Sequence, residues 1–115
     1  MRYISGMDLT TTAREIGISL DSYKRLCKIF IAHTTEDMKE LKKAIKEHRL
    51  AEAADLAHHI KGAAANMEFN DMADAAKELQ LHTLDSSVTL PELLSSYDKL
   101  DELYQSIKIE IEAEL

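Results

Sequence analysis

Two adjacent histidines, His58 and His59, lie midway along a segment of mostly small apolar residues, Leu50 to Met67. Ala53, Leu56, Ala57, Ile60, Ala63, Ala64 and Met67 recur at helical spacing and define a core-facing stripe. At about 100° per residue, His58 then points almost directly away from that stripe. Its expected neighbours on the outer face are Ala51, Ala54, Lys61, Gly62 and Ala65, all small except Lys61. Outward positions of a helix normally carry long polar side chains, so a bare platform around an imidazole is unusual. Gly62 inside a helix costs about 1 kcal/mol relative to Ala, which points to a close approach to the backbone there. A neutral imidazole nitrogen is a competent nucleophile. Phosphoryl transfer asks little covalent chemistry of its acceptor. It needs in-line positioning and charge around the equatorial oxygens, and Lys61 is a fitting counter-charge one turn from His58. A flat, uncluttered surface suits docking of a whole protein rather than a small molecule, which would be enclosed in a pocket.

The other ionisable residues read as structural. His59 lies about 100° further round, towards Glu52, Asp55 and Asn66, as a polar flank residue. Asp55 with His59, and Glu78 with His82, are i, i+4 pairs of a kind that can chelate. Bundle metal sites, however, need inward Glu-x-x-His motifs with further Glu ligands. The acid-x-x-His spacing here is Asp55 to His58, on the outer face, so no metal site is expected. His33, His48 and His82 read as surface or seam-edge residues. The single cysteine, Cys27, shares an apolar stripe with Tyr23 and Phe30 and is expected to be a buried, inert thiol.

The elements that position these residues are helical. Three Gly and one Pro in 115 residues leave few breakers. A short helix is predicted over Leu9 to Ile16, ended by Gly17. A long one runs from Leu20 to about His48, its seam formed by Tyr23, Cys27, Phe30, Thr34, Met38, Leu41 and Ile45. Thr34 and Thr35 are its weak point, the place for a kink or break. The histidine-bearing helix runs from Leu50 to about Met67. Asn70 is the predicted N-cap of a helix from Asp71 to about Thr83. After a loop over Leu84 to Val88, Thr89 and Glu92 form a capping box, with Pro91 in the first turn. The last helix carries Leu93, Tyr97, Leu100, Tyr104, Ile107 and Ile111. The fold class is therefore all-α: an antiparallel four-helix bundle with a short extra N-terminal helix, one domain over residues 1–115.

Composition narrows the function. The chain has 14 Lys and Arg against 21 Asp and Glu, a formal net charge of −7. Nucleic acid and anionic lipid are therefore not expected partners. The acids concentrate in the last helix, as a solvated face. No apolar run is long enough to span a membrane, and Met1 to Gly6 lack the apolar core of a signal peptide, so the cytoplasm is expected; one core accounts for most of the apolar residues, so a monomer is expected. A Gly-rich nucleotide loop is lacking, so the chain is not expected to phosphorylate itself from ATP.

The run Ala57-His58-His59-Ile60-Lys61-Gly62 resembles the A-H-x-[I/L]-K-G motif of histidine-containing phosphotransfer (HPt) domains, and the helix order fits that family over nearly the whole chain. The resemblance implies that His58 accepts a phosphoryl group through Nε2, that Lys61 is its charge partner and that Gly62 admits a partner. Gln80, by the same resemblance, hydrogen-bonds and orients the imidazole. Ala51, Ala54, Asp55, Gly62 and Ala65 form the implied docking surface. The implied partner is a response-regulator receiver domain, a hybrid histidine kinase, or both, with Mg²⁺ held by the receiver and no cofactor bound by this chain. The alternative is a helical interaction module that binds such partners without transfer. One departure stands out: ten residues after the histidine, where the family usually has Gly, this chain has Glu68. The helix is then expected to end differently, with Asn70 taking the left-handed conformation. Glu68 also adds negative charge near the docking face.

Overall fold

The computed structural model describes residues 8–115; the reading of Met1 to Gly6 falls outside them. Five helices follow in order: α1 (Leu9–Ile16), α2 (Leu20–Lys46), α3 (Leu50–Asn66), α4 (Asn70–Thr83) and α5 (Leu90–Glu114). Helix α2 packs against α3 and α5, and α4 packs against the same two, so the last four helices form an antiparallel square with α3 and α5 on one diagonal. Helix α1 lies against α2 through buried Leu9 and Ala13. The four seams meet in one core, with Tyr23, Leu41, Ile45, Ile60, Met72, Leu79, Leu100 and Ile111 fully buried. Among the described residues, no helix is long and apolar enough to cross a membrane.

Helix α2 runs unbroken through Thr34 and Thr35, so the break considered there is absent. Two β-branched residues weaken a helix by only about 1 kcal/mol together, and tertiary contacts outweigh this. Thr34 is buried, and Thr35 Oγ1 lies 2.6 Å from the Tyr104 hydroxyl of α5. That hydroxyl also donates to the Ile31 carbonyl (3.0 Å), pinning α5 to the middle of α2. Tyr97 does the same lower down, donating to Met38 O (3.2 Å), and Tyr23 donates to Met67 O (2.9 Å) at the end of α3. Burial pushes the Tyr97 hydroxyl up to about 12 and raises those of Tyr23 and Tyr104, so all three stay protonated donors. Cys27 is fully buried, and burial pushes its thiol up to about 11, which keeps it protonated at neutral pH.

Helix ends explain most of the boundary differences. Helices α1, α2 and α3 close in the same way. A left-handed residue (Gly17, φ 91°; His48, φ 59°; Glu68, φ 66°) lets the next N–H reach back five residues, Ile18 to Ala13, Arg49 to Ala44 and Phe69 to Ala64, at 2.8–3.0 Å. Glu68 itself therefore takes the strained conformation, not Asn70. Nor is Asn70 a cap: it is the first residue of α4, and Phe69 precedes it with no side-chain cap bond. Phe69 is buried edge-on against Phe30 (ring centroids 5.1 Å apart), so packing fixes the start of α4. The capping box of α5 is present. Thr89 N–H donates to Glu92 Oε1 (2.9 Å), and Glu92 N–H to Thr89 Oγ1 (3.3 Å).

Candidate functional site

The histidine pair is presented by the middle of α3, a helix whose own core face is built from alanines and Ile60. His58 is exposed there. Beside it runs a shallow groove lined by His58, His59, Gly62, Ala63 and Asn66. A Cβ added at Gly62 would meet nothing within 4 Å. Its backbone is helical, so neither crowding within the chain nor an unusual dihedral requires glycine here. The space it leaves opens outward.

The outer face is narrower than the helical wheel suggested. Ala51, Asp55 and Ala65 are exposed, and Gly62 and Lys61 are partly so, but Ala54 is buried, with 7% of its surface exposed. Packing of the neighbouring helices on α3 therefore covers a wider arc than one central stripe implies, and Ala54 falls within the covered arc rather than on the open surface. Among the described residues, Lys61 forms no ion pair, so its ammonium group is uncommitted.

The other predicted site residue is less direct. Gln80 is half-buried on α4. Counted from the turn at Glu68, His58 is ten residues back and Gln80 twelve residues on, a mismatch of about 3 Å along the axes. Among the described residues, no hydrogen bond joins the Gln80 side chain to His58; the Gln80 backbone carbonyl accepts from Thr83 Oγ1 (2.6 Å).

His59 has a partner that the sequence did not reveal. Its Nδ1 lies 2.9 Å from Asp37 Oδ2 of α2. This contact separates the two histidines: His59 leans across to α2, while His58 has no such tie among the described residues. His82, similarly, places Nδ1 2.6 Å from Ser96 Oγ and links α4 to α5, while Glu78 pairs with Lys99 at 3.5 Å. Among the described residues, no group of three or more His, Cys, Asp or Glu is arranged to hold a metal ion.

A second feature escaped sequence reasoning. A groove between α2 and α3, lined by Leu26, Ile29, Phe30, His33, Asp37 and others, shares His59, Ala63 and Asn66 with the groove beside His58. Leu26 and Ile29 are 43% and 51% exposed. They lie off the core seam of α2, and two large apolar side chains at i and i+3 in solvent were the available signal.

Among the described residues, the bundle thus offers a surface imidazole without a hydrogen-bond partner, one turn from an unpaired ammonium and a bare glycine. Residues 25–110 match the Hpt domain, and the chain belongs to that family. Helix α1 precedes the matched stretch. Hpt domains are phosphotransfer modules of two-component systems and interact with response-regulator receivers. Neither curated proteins nor solved structures gave a match.

Proposed function

We propose that this chain is a phosphorelay carrier in which His58 takes a phosphoryl group from, or returns it to, the aspartate of a receiver domain. The observation that carries this reading is the open surface at Gly62, one turn beyond an exposed His58. In the step proposed, the Nε2 lone pair of neutral His58 attacks phosphorus in line. The N–P bond forms as the P–O bond to the receiver's aspartate breaks, and the carboxylate leaves. Lys61 offsets charge on the phosphoryl oxygens. Gln80 orients the ring once the partner is seated. Ala51, Asp55, Gly62 and Ala65 are the contact surface, and exposed Leu26 and Ile29 extend it with apolar area. The receiver supplies Mg²⁺, and this chain acts as a cytoplasmic monomer.

Incubation with a phosphorylated receiver and Mg²⁺, followed by mass analysis of acid-labile label, tests the assignment. The label is expected on His58 and absent from His58→Gln. Label on His59 would overturn the assignment. Binding of the receiver with no label in the wild-type chain would favour the interaction-only module instead.

A further inference from the structure

On the side of the bundle formed by α2 and α5, away from α3, a groove is lined by Lys39, Lys42, Lys43, Lys46, Glu47 and Tyr97. The lysines recur at i, i+3, i+4 and i+7, so they form one stripe, about 10 Å long, on the flank of α2 that faces α5. Helix α2 as a whole carries seven basic residues against four acids, in a chain whose net charge is −7. Concentrating like charges on one flank is unfavourable unless something answers them; the exposed Glu36, Glu40 and Glu47 border the stripe along the same helix and its C-cap, but the groove itself holds four lysines against one acid, Glu47. Among the described residues, Lys42, Lys43 and Lys46 form no ion pair, and Lys39 has only an exposed contact to Glu36 at 3.4 Å. The acid in the groove, Glu47, is engaged by Arg49, which also holds Glu52. Lys42 Nζ stands 5.7 Å from the centre of the Tyr97 ring, which supports its stem without neutralising it. Lys43 and Lys46 in the last turn complement the helix dipole, but the dipole's influence fades within that turn and leaves Lys39 and Lys42 unexplained.

We propose that this groove is a docking site for an acidic polypeptide segment of a partner, separate from the surface around His58. Charge complementarity selects the occupant. A short segment with several carboxylates within about 10 Å can lie along the stripe alone. A nucleic-acid duplex or a membrane plane is broader. It would also press its phosphates against Glu36, Glu40 and Glu47, which are exposed on the same helix end, and against a surface that is acidic elsewhere. The stripe lies on the α2–α5 side, whereas the groove beside His58 is made by α3. An occupant there leaves His58 open, so this site anchors a partner while the imidazole remains available. The proposal does not depend on whether His58 carries phosphate.

The test is titration of the isotope-labelled full chain with a poly-glutamate peptide, followed by amide chemical shifts, with a poly-glutamine peptide as control. Saturable shifts are expected at Lys39, Lys42, Lys43, Lys46 and Tyr97 and not at His58, with affinity falling as salt rises. The combined Lys42→Gln, Lys43→Gln and Lys46→Gln variant should weaken binding by about tenfold or more. Lys43→Gln alone should give an intermediate loss if the combined variant is misfolded by circular dichroism. Shifts centred on α3, an equal response to poly-glutamine, or binding unchanged in the variants would overturn the proposal. Tighter binding to duplex DNA or to vesicles of anionic phospholipid than to the acidic peptide would show that the partner class is wrong.

Discussion

Gly62 and Glu68 are six residues apart on the same helix end and spend conformational energy in opposite ways. Gly62 weakens α3 without any need arising inside the chain, since a Cβ there would meet nothing. Gly62→Ala should therefore raise stability by about 1 kcal/mol in urea unfolding. If the open surface serves docking, the same change should slow phosphoryl transfer from a receiver by about tenfold or more, because a small displacement of the reacting groups is costly. A stabilised variant with undiminished transfer would mean that docking does not require the glycine. Glu68 is the reverse case: a non-glycine residue held at φ 66°. Its left-handed backbone costs roughly 1–2 kcal/mol relative to a relaxed one, partly offset by the entropy a glycine would lose on folding. Glu68→Gly should thus stabilise by about 0.5–1 kcal/mol, read as a higher urea midpoint with unchanged slope. An unchanged or lower midpoint would mean that contacts of the Glu68 side chain outweigh the strain.

At the scale of helices, periodicity made the seams of α2 to α5 legible in the sequence, because apolar residues alternating in steps of three and four leave little ambiguity. The ends were harder. The α5 cap could be read, since Thr89 and Glu92 close it with their own side chains. The closures of α2 and α3 could not, because backbone groups make those bonds and the residues in the left-handed position, His48 and Glu68, advertise nothing. The site shows the same division. His58, Lys61 and Gly62 follow from one helix wheel. Burial of Ala54 and the contact of His59 with Asp37 depend on where the neighbouring helices sit, which a single wheel does not contain. The α5 cap also makes a pH prediction. Backbone and side-chain bonds from Thr89 hold the Glu92 carboxyl below its usual range. A carboxyl lowered on folding stabilises the native state above its unfolded value, and that contribution is lost as pH falls through the folded value. Glu92→Gln should lower the thermal midpoint at neutral pH, and the gap to the wild-type chain should close on acidification below the ordinary carboxylate range. A gap that persists in acid would show that the carboxylate charge is not what the cap uses.

The whole molecule divides into a four-helix core and an appendage. Helices α2 to α5 supply most of one buried cluster, to which α1 adds Leu9 and Ala13 at its edge, and three tyrosine hydroxyls tie α2 to α3 and α5 across it. The Phe30, Phe69 and Tyr104 rings join the same core, with centroids 5.1 and 6.2 Å apart. Opening any one of these helices exposes apolar area belonging to its neighbours, so they should unfold as a unit. Helix α1 is different. It packs chiefly on α2, it buries only Leu9 and Ala13, and it precedes the stretch that matches the family. Separating it from α2 leaves the square of helices intact. Native-state hydrogen exchange should therefore give the amides of α2, α3, α4 and α5 a common limiting free energy, with α1 opening about 2 kcal/mol or more below it. The α3 amides around His58 belong with the high group, because Ala57, Ile60 and Ala64 on the same helix are built into the shared core. Exchange of α3 at the level of α1 would indicate that the histidine helix opens independently, and docking would then have to include its ordering.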